Sequence, residues 1–317
     1  GFMIFVFDID DTLYDLEDPF KLAFFHMFGH TPSNIHDIFL DFRRYNNEIY
    51  EKALLGEITM EEMCIYRAQN AFKDHGIIID ESKALEFQLL YLRDKKYIKL
   101  NEDIEASLKL LKNNDIPMGI ISNGPHKEQF EKISYLGVEE YIPRENIFIS
   151  EDVGFHKPSV EIFDYAREHI LENLLSKENN QNNIIKHNKY KNEQFDKKMY
   201  ENTIINNNEK NALFLPKDYR NTYKIHMKNE LNNTENVKQN HLNTNKIIKN
   251  KKVIHDYDFF YIGDSYSNDI YGANNAGYKS IWINHRKYSN LNIDSMPDFE
   301  IDSFKKLFDL LVYLLTK

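Results

Sequence analysis

MIFVFDIDDT, residues 3–12, sets five apolar residues directly before three acids. An unbroken, β-rich apolar run of this length is the pattern of a strand buried on both faces of a parallel sheet. Asp8, Asp10 and Asp11 follow at its carboxyl end, where ligands gather in open parallel sheets. Acids in this position also form ordinary turns and helix caps, so on their own they leave both readings open.

Similar strand patterns recur at 117–122 (PMGIIS), 146–150 (NIFIS), 258–263 (DFFYIG) and 279–283 (KSIWI). Amphipathic helical stretches lie between most of them, at 103–114, 125–136 and 159–171. Strands alternating with helices predict an α/β fold, a doubly wound parallel sheet, over residues 1–15 and 96–317. Residues 16–95 carry a different pattern. Asp18-Pro19 suits a helix start, apolar residues from Ile38 to Tyr50 form a second helix that stops at Gly56, Thr59 and Glu62 make a capping box, and Asp80 caps a fourth helix. The expectation is a small all-helical cap domain placed between the first two strands.

The chain has 317 residues and a net charge of −10, and the charge is unevenly spread. Residues 176–252 hold 16 Lys or Arg against 8 Asp or Glu, with 20 asparagines and few large apolar residues. Such a segment has little to bury and is expected to be a disordered, solvated insertion, with transient order at most around 212–220. The remainder carries 24 basic against 42 acidic residues. An acidic body repels a phosphate backbone, which excludes nucleic acid as its partner. It would need a cation to handle phosphate substrates. No apolar run approaches the roughly 20 residues that span a bilayer, and the acids that follow five apolar residues fit neither a signal peptide nor an anchor. With Cys64 as the single cysteine, there is no disulfide framework and no thiolate metal site. A soluble, cytoplasmic protein without a membrane partner is the expectation.

Three further groups sit at predicted strand ends. Gly263-Asp264-Ser265, with Asn268 and Asp269, follows the 258–263 strand. Carboxylates at two strand ends repel and persist together only with a cation between them, and all-oxygen ligands with a phosphate substrate point to Mg²⁺. Ser122-Asn123-Gly124 could hold phosphate oxygens through a hydroxyl and backbone N–H groups, or simply cap a helix. Lys157, in His156-Lys157-Pro158, could neutralise phosphate and a nucleophile, or be a surface lysine.

Taken in order, Asp-x-Asp-x-Thr, a strand-end serine, Lys-Pro and Gly-Asp-x-x-x-Asn-Asp resemble the four motifs of the haloacid dehalogenase-like hydrolase superfamily. The likeness extends to FDIDDTLYD, GANNAGYKSIWIN and PDFEIDSF. The helical segment sits where the superfamily's first type of cap is inserted. The long asparagine-rich segment between the third and fourth motifs departs from the pattern, although closing a longer loop costs little.

The resemblance implies a Mg²⁺-dependent phosphatase acting on a small phosphorylated metabolite. Asp8 would be the nucleophile, forming an aspartyl-phosphate, and Asp10 the general acid and base, with its pKa raised relative to Asp8. Metal ligands would come from Asp8, the backbone carbonyl of Asp10 and Asp264, with Asp269 ligating through water or orienting Lys157. Thr12, Ser122, Asn123 and Lys157 would form the phosphate cradle. Dehalogenases lack the second acid and the metal site. Phosphomutases share the core and stay open, as does a non-catalytic binding protein. FDIDDTLY is similar to the pyrimidine 5′-nucleotidase-like branch, so nucleotide monophosphates stand beside sugar phosphates as substrates. Residues of the helical segment suited to setting specificity are Arg43, Arg44 and Arg67 with Phe24, Phe25 and Tyr45, and Tyr14–Asp18 suits a hinge or flap.

Overall fold

The apolar runs, and one short segment ahead of the last helix, become six parallel strands: β1 (Phe2–Phe7), β2 (Met118–Ser122), β3 (Ile147–Ile149), β4 (Tyr257–Gly263), β5 (Lys279–Ile283) and β6 (Phe299–Ile301). They lie in the order β3-β2-β1-β4-β5-β6. The protein is represented by a computed structural model that describes residues 2–181, 257–289 and 293–317. These fall into two compact units, an α/β unit formed by residues up to 18 and from 95 onward, and a helical unit of residues 19–94.

In the α/β unit β1 is central. Ile4, Phe5, Val6 and Phe7 are fully buried, as the continuous apolar run requires. Its Phe7 pairs with Ile120 of β2 on one side and Ile262 of β4 on the other. The chain fills one half of the sheet from β1 to β3, then returns to lay β4 beside β1. The strand order reverses there, so residues after β1 and β4 stand together at a switch point.

The helical unit holds the body of α1 (Glu17–Phe28) together with α2 (Ile35–Leu54), α3 (Met60–Asp74) and α4 (Glu81–Asp94). The capping box of α3 is present, with Glu62 N–H donating to Thr59 Oγ1 (3.0 Å) and Thr59 N–H to Glu62 Oε2 (2.7 Å). Lys83 N–H donates to Asp80 Oδ1, which caps α4. Helix α1 begins ahead of the expected Asp18-Pro19 start, because Asp15 Oδ1 accepts from Glu17 N–H (2.9 Å) and takes the capping role. Phe20, Phe24, Phe39, Phe42, Phe72 and Phe87 are all buried and interlock mostly edge-to-face around Phe20.

The α/β unit is completed by α5 (Glu102–Asn113), α6 (His126–Leu136), the single turn α7 (Ser150–Val153), α8 (Val160–Gln181), the short α9 (Tyr271–Asn275) and α10 (Phe304–Leu315). Three boundaries differ from the sequence expectation. Strand β3 stops at Ile149 because Ser150 already opens α7. Strand β6 is new, formed inside PDFEIDSF by pairing with β5. Helix α8 continues past 171 to Gln181, held by Leu174 against the core, Asn173 on Asn146 (2.9 Å) and Lys177 on Glu145 (3.1 Å). The rest of the expected insertion, 182–252, lies outside the described residues. Among the described residues no helix is long and apolar enough to cross a membrane.

Phe20 meets six other rings of the helical unit, so Phe20→Ala leaves a cavity that cannot close cheaply. The variant is expected to lose about 3–5 kcal/mol of stability, read as a lower urea midpoint at unchanged slope.

Candidate functional site

Asp8 is the first residue past β1, and its N–H donates to Ile262 O of β4 (2.9 Å), which fixes the strand end at the switch point. Its side chain is nearly out of water. Lys157 Nζ donates to Asp8 Oδ1 (2.8 Å), Asp269 Oδ1 (2.6 Å) and the Tyr261 hydroxyl (2.9 Å). Lys157 is thus a fully partnered buried cation, not a surface lysine. Its backbone is clamped as well: Asn123 Nδ2 donates to Lys157 O and Lys157 N–H donates to Asn123 Oδ1 (2.9 and 2.8 Å). The Asn123 side chain is therefore committed to positioning Lys157.

Carboxylate oxygens of Asp8, Asp264 and Asp269 lie within 4.8 Å of one another. With Lys157 the group carries a formal charge of −2. At such a spacing two ionised carboxylates repel by about 3 kcal/mol even at an effective dielectric of 20. Burial first, then Asp269, push the Asp8 carboxyl up to about 7 against the opposing pull of Lys157. Burial, with Asp11, Asp8 and Asp269 around it, pushes Asp264 well above the usual carboxylate range. Buried carboxyls this close rest together only if one keeps a proton. A divalent cation in place of that proton would relieve both, and oxygen donors alone suit a hard ion. Asp269 is accounted for otherwise: Oδ1 takes Lys157 and Tyr261, and Oδ2 takes Ser265 N–H (3.0 Å). Gly263 has to lack a side chain, because a Cβ there would collide with the Asp269 carboxyl.

Thr12 is fully buried and its hydroxyl donates to Asp264 Oδ1 (3.3 Å). Ser122 Oγ accepts from Gln129 Nε2 (2.5 Å). Asp10 stands apart from the carboxylate group. Lys132 Nζ contacts both its oxygens (2.8 and 3.1 Å), the Tyr14 hydroxyl donates to Oδ1 (2.5 Å), and Gln129 Nε2 reaches Oδ2 (3.3 Å). Burial would raise the Asp10 carboxyl, but the Lys132 charge and these hydrogen bonds overcome it and hold it at about 2. The order expected from sequence, Asp10 above Asp8, is inverted here because Lys132 and two further hydrogen bonds face Asp10, whereas Asp8 shares Lys157 with Asp269.

Several of these residues were not singled out in the sequence. Gln129 and Lys132 stand three apart on one face of α6, and Lys132 also bonds Gln129 Oε1 (2.9 Å). Asp11 sits at φ 58°, and its carboxylate is gripped by Arg286 Nε and Nη2 (3.1 and 2.8 Å), just past β5. Arg286 also reaches Asp15 (2.5 Å) and Glu17 (3.2 Å), and His285 lies 3.2 Å from Asp11. One buried guanidinium thereby ties the loop after β1, and the start of α1, to the end of β5.

The model of the haloacid dehalogenase-like hydrolases matches residues 2–176, more than half of the chain. The chain belongs to this family. The HAD-hydrolase YfnB of Bacillus subtilis is 26% identical over 174 residues, covering 52% of this chain and 68% of that protein. A glyceraldehyde 3-phosphate phosphatase of Methanothermobacter thermautotrophicus is 30% identical over 163 residues, covering 50% and 68%. Among solved structures, magnesium-bound YfnB superposes with a TM-score of 0.54 at 20% identity over 98% of each chain. A dehalogenase superposes at 0.53 and 11% identity, over 98% of this chain and 97% of the other. These likenesses show the haloacid dehalogenase-like fold.

The Arg286 clamp gives a prediction with a sign. Burial would raise the Asp11 carboxyl, but His285 and Arg286 hold it well below the usual range. A carboxyl held down in the folded state stabilises above its unfolded pKa of about 3.9 and loses that contribution as the pH falls. Arg286→Met should therefore cost about 3–5 kcal/mol near neutrality. Urea titrations across pH should show the gap from wild type narrowing below about pH 4.

Proposed function

We propose that the protein is a Mg²⁺-dependent phosphatase that hydrolyses small phosphomonoesters through an aspartyl-phosphate on Asp8. The observation that carries this reading is the buried group at the β1–β4 switch point: Asp8 bonded to Lys157 on one oxygen, with Asp264 close enough for one cation to touch both. Asp8, Asp264 and the backbone carbonyl of Asp10 would hold Mg²⁺, while the two committed oxygens of Asp269 favour its role in orienting Lys157. Bound Mg²⁺ would offset negative charge on the transferring phosphoryl group.

An Asp8 oxygen attacks phosphorus and the ester P–O bond breaks, with the leaving alcohol taking a proton from Asp10. Water then attacks phosphorus and gives a proton to Asp10, and inorganic phosphate leaves with Asp8 restored. Lys157 stabilises charge on the equatorial oxygens throughout. Ser122 Oγ and the backbone N–H groups after β2 complete the cradle. Asp10 is held in the ionised form from which its base role starts. Its acid role requires the Lys132 contact to be exchanged once substrate is bound.

The chemistry of the relatives supports small phosphorylated substrates. A glyceraldehyde 3-phosphate phosphatase among them makes triose phosphates natural members of a test panel, beside sugar phosphates and nucleoside monophosphates. The likeness to a dehalogenase is one of fold, and Asp10 and Asp264 are the acids that a carbon-attacking site does not need.

With Mg²⁺, the wild-type chain should release phosphate from an aryl phosphate and from members of that panel. Chelation should abolish release and added Mg²⁺ restore it. Asp8→Asn should lower kcat more than about a thousandfold while the fold persists. Turnover retained in that variant, or no hydrolysis across the panel, would overturn the reading.

A further inference from the structure

Arg67 of α3 is a buried guanidinium that no carboxylate among the described residues neutralises. It is only 8% exposed, and its partners among the described residues are neutral: Asn46 Oδ1 (2.7 Å), Gln88 Oε1 (2.5 Å) and the Cys64 thiol (3.8 Å). Its Cζ stacks 4.5 Å from the centre of the Phe42 ring, and its Nε has no hydrogen-bond partner among the described residues. Arg43 of α2 lies near enough for its like charge to act on Arg67, and it too has no carboxylate or hydrogen-bond partner among the described residues.

The neighbouring Arg44 shows the ordinary alternative. It is exposed and surrounded by Asp41, Glu48 and Asp74. A buried charge without a counter-charge is costly, and a second cation beside it adds to the cost. A strut joining α2, α3 and α4 through Asn46 and Gln88 could be built from a neutral amide. It would need neither the charge nor the idle Nε–H. Buried donors left unpaired in a native fold call for a partner.

We propose that Arg67 and Arg43 form an anion-binding site on the helical unit, taking a carboxylate or phosphate group. An arginine fork whose buried Nε–H has no partner among the described residues suits such a group. The anion is a free small anion bound within the helical unit.

Cys64 is the single cysteine, and its sulfur stands beside Arg67, so its alkylation reports on the site without any catalysis. The rate of N-ethylmaleimide modification of the full chain, followed by mass spectrometry, should fall in malonate relative to sodium chloride of equal ionic strength. Protection should reach about threefold at twice the dissociation constant. Arg43→Gln, placed on the half-buried residue so that the fold survives, should remove that protection.

Labelling that malonate leaves unchanged in the wild type overturns the site, and so does protection that Arg43→Gln leaves intact.

Discussion

Asp8 and Asp264 are brought together, out of water, by the reversal of strand order between β1 and β4, and two ionised carboxylates do not rest at that spacing without a cation. Much of the α/β unit near them can be understood as the means of keeping that charge in place. Lys157 supplies one positive charge from the loop before α8, and Asn123 grips its backbone from the end of β2. Tyr261 places its hydroxyl between Lys157 and Asp269 while donating to Ile121 O. Gly263 gives up its side chain to make room for Asp269. Three strand ends and the loop before α8 thus converge on one electrostatic problem, and the −2 that is left over is what a divalent ion would cancel.

Asp10 shows how different the same residue type becomes a few ångströms away. Its neighbours are a lysine, a tyrosine and a glutamine from α6 and the loop after β1, and these hold it ionised. The difference between the two acids follows from what faces each one. It does not follow from their position in the motif.

The acids were legible from the sequence because an apolar run announces a buried strand and the polar residues that end it have a known address in a parallel sheet. Asp8, Asp10, Lys157, Ser122, Asp264 and Asp269 were all singled out that way. Thr12 and Asn123 were read as phosphate ligands, and the structure places their side chains on Asp264 and on the Lys157 backbone. Spacing reveals which residues share a strand end, not which hydrogen bond each one spends there. Lys132, Gln129 and Arg286 escaped because a charged or polar residue on an amphipathic helix, or beyond a strand, looks like any solvated surface until the packing is known. Tyr261 was hidden in an aromatic strand as one more apolar residue. The overlong α8 reads as part of an asparagine-rich stretch by composition, and only its contacts with Asn146 and Glu145 show it as helix.

Helix α8 leaves the described chain at Gln181, and the chain returns at Tyr257, the first residue of β4. That residue stands at the amino end of the strand, whereas Asp264 stands past its carboxyl end. Seven residues of extended chain, about 23 Å, lie between the two. Whatever residues 182–256 add to the protein is therefore attached at the far rim of the sheet from the acids. In evolutionary terms the sheet's polarity acts as insulation: the one rim can gain or lose dozens of residues while the other keeps sub-ångström geometry, so that length and chemistry are free to change independently.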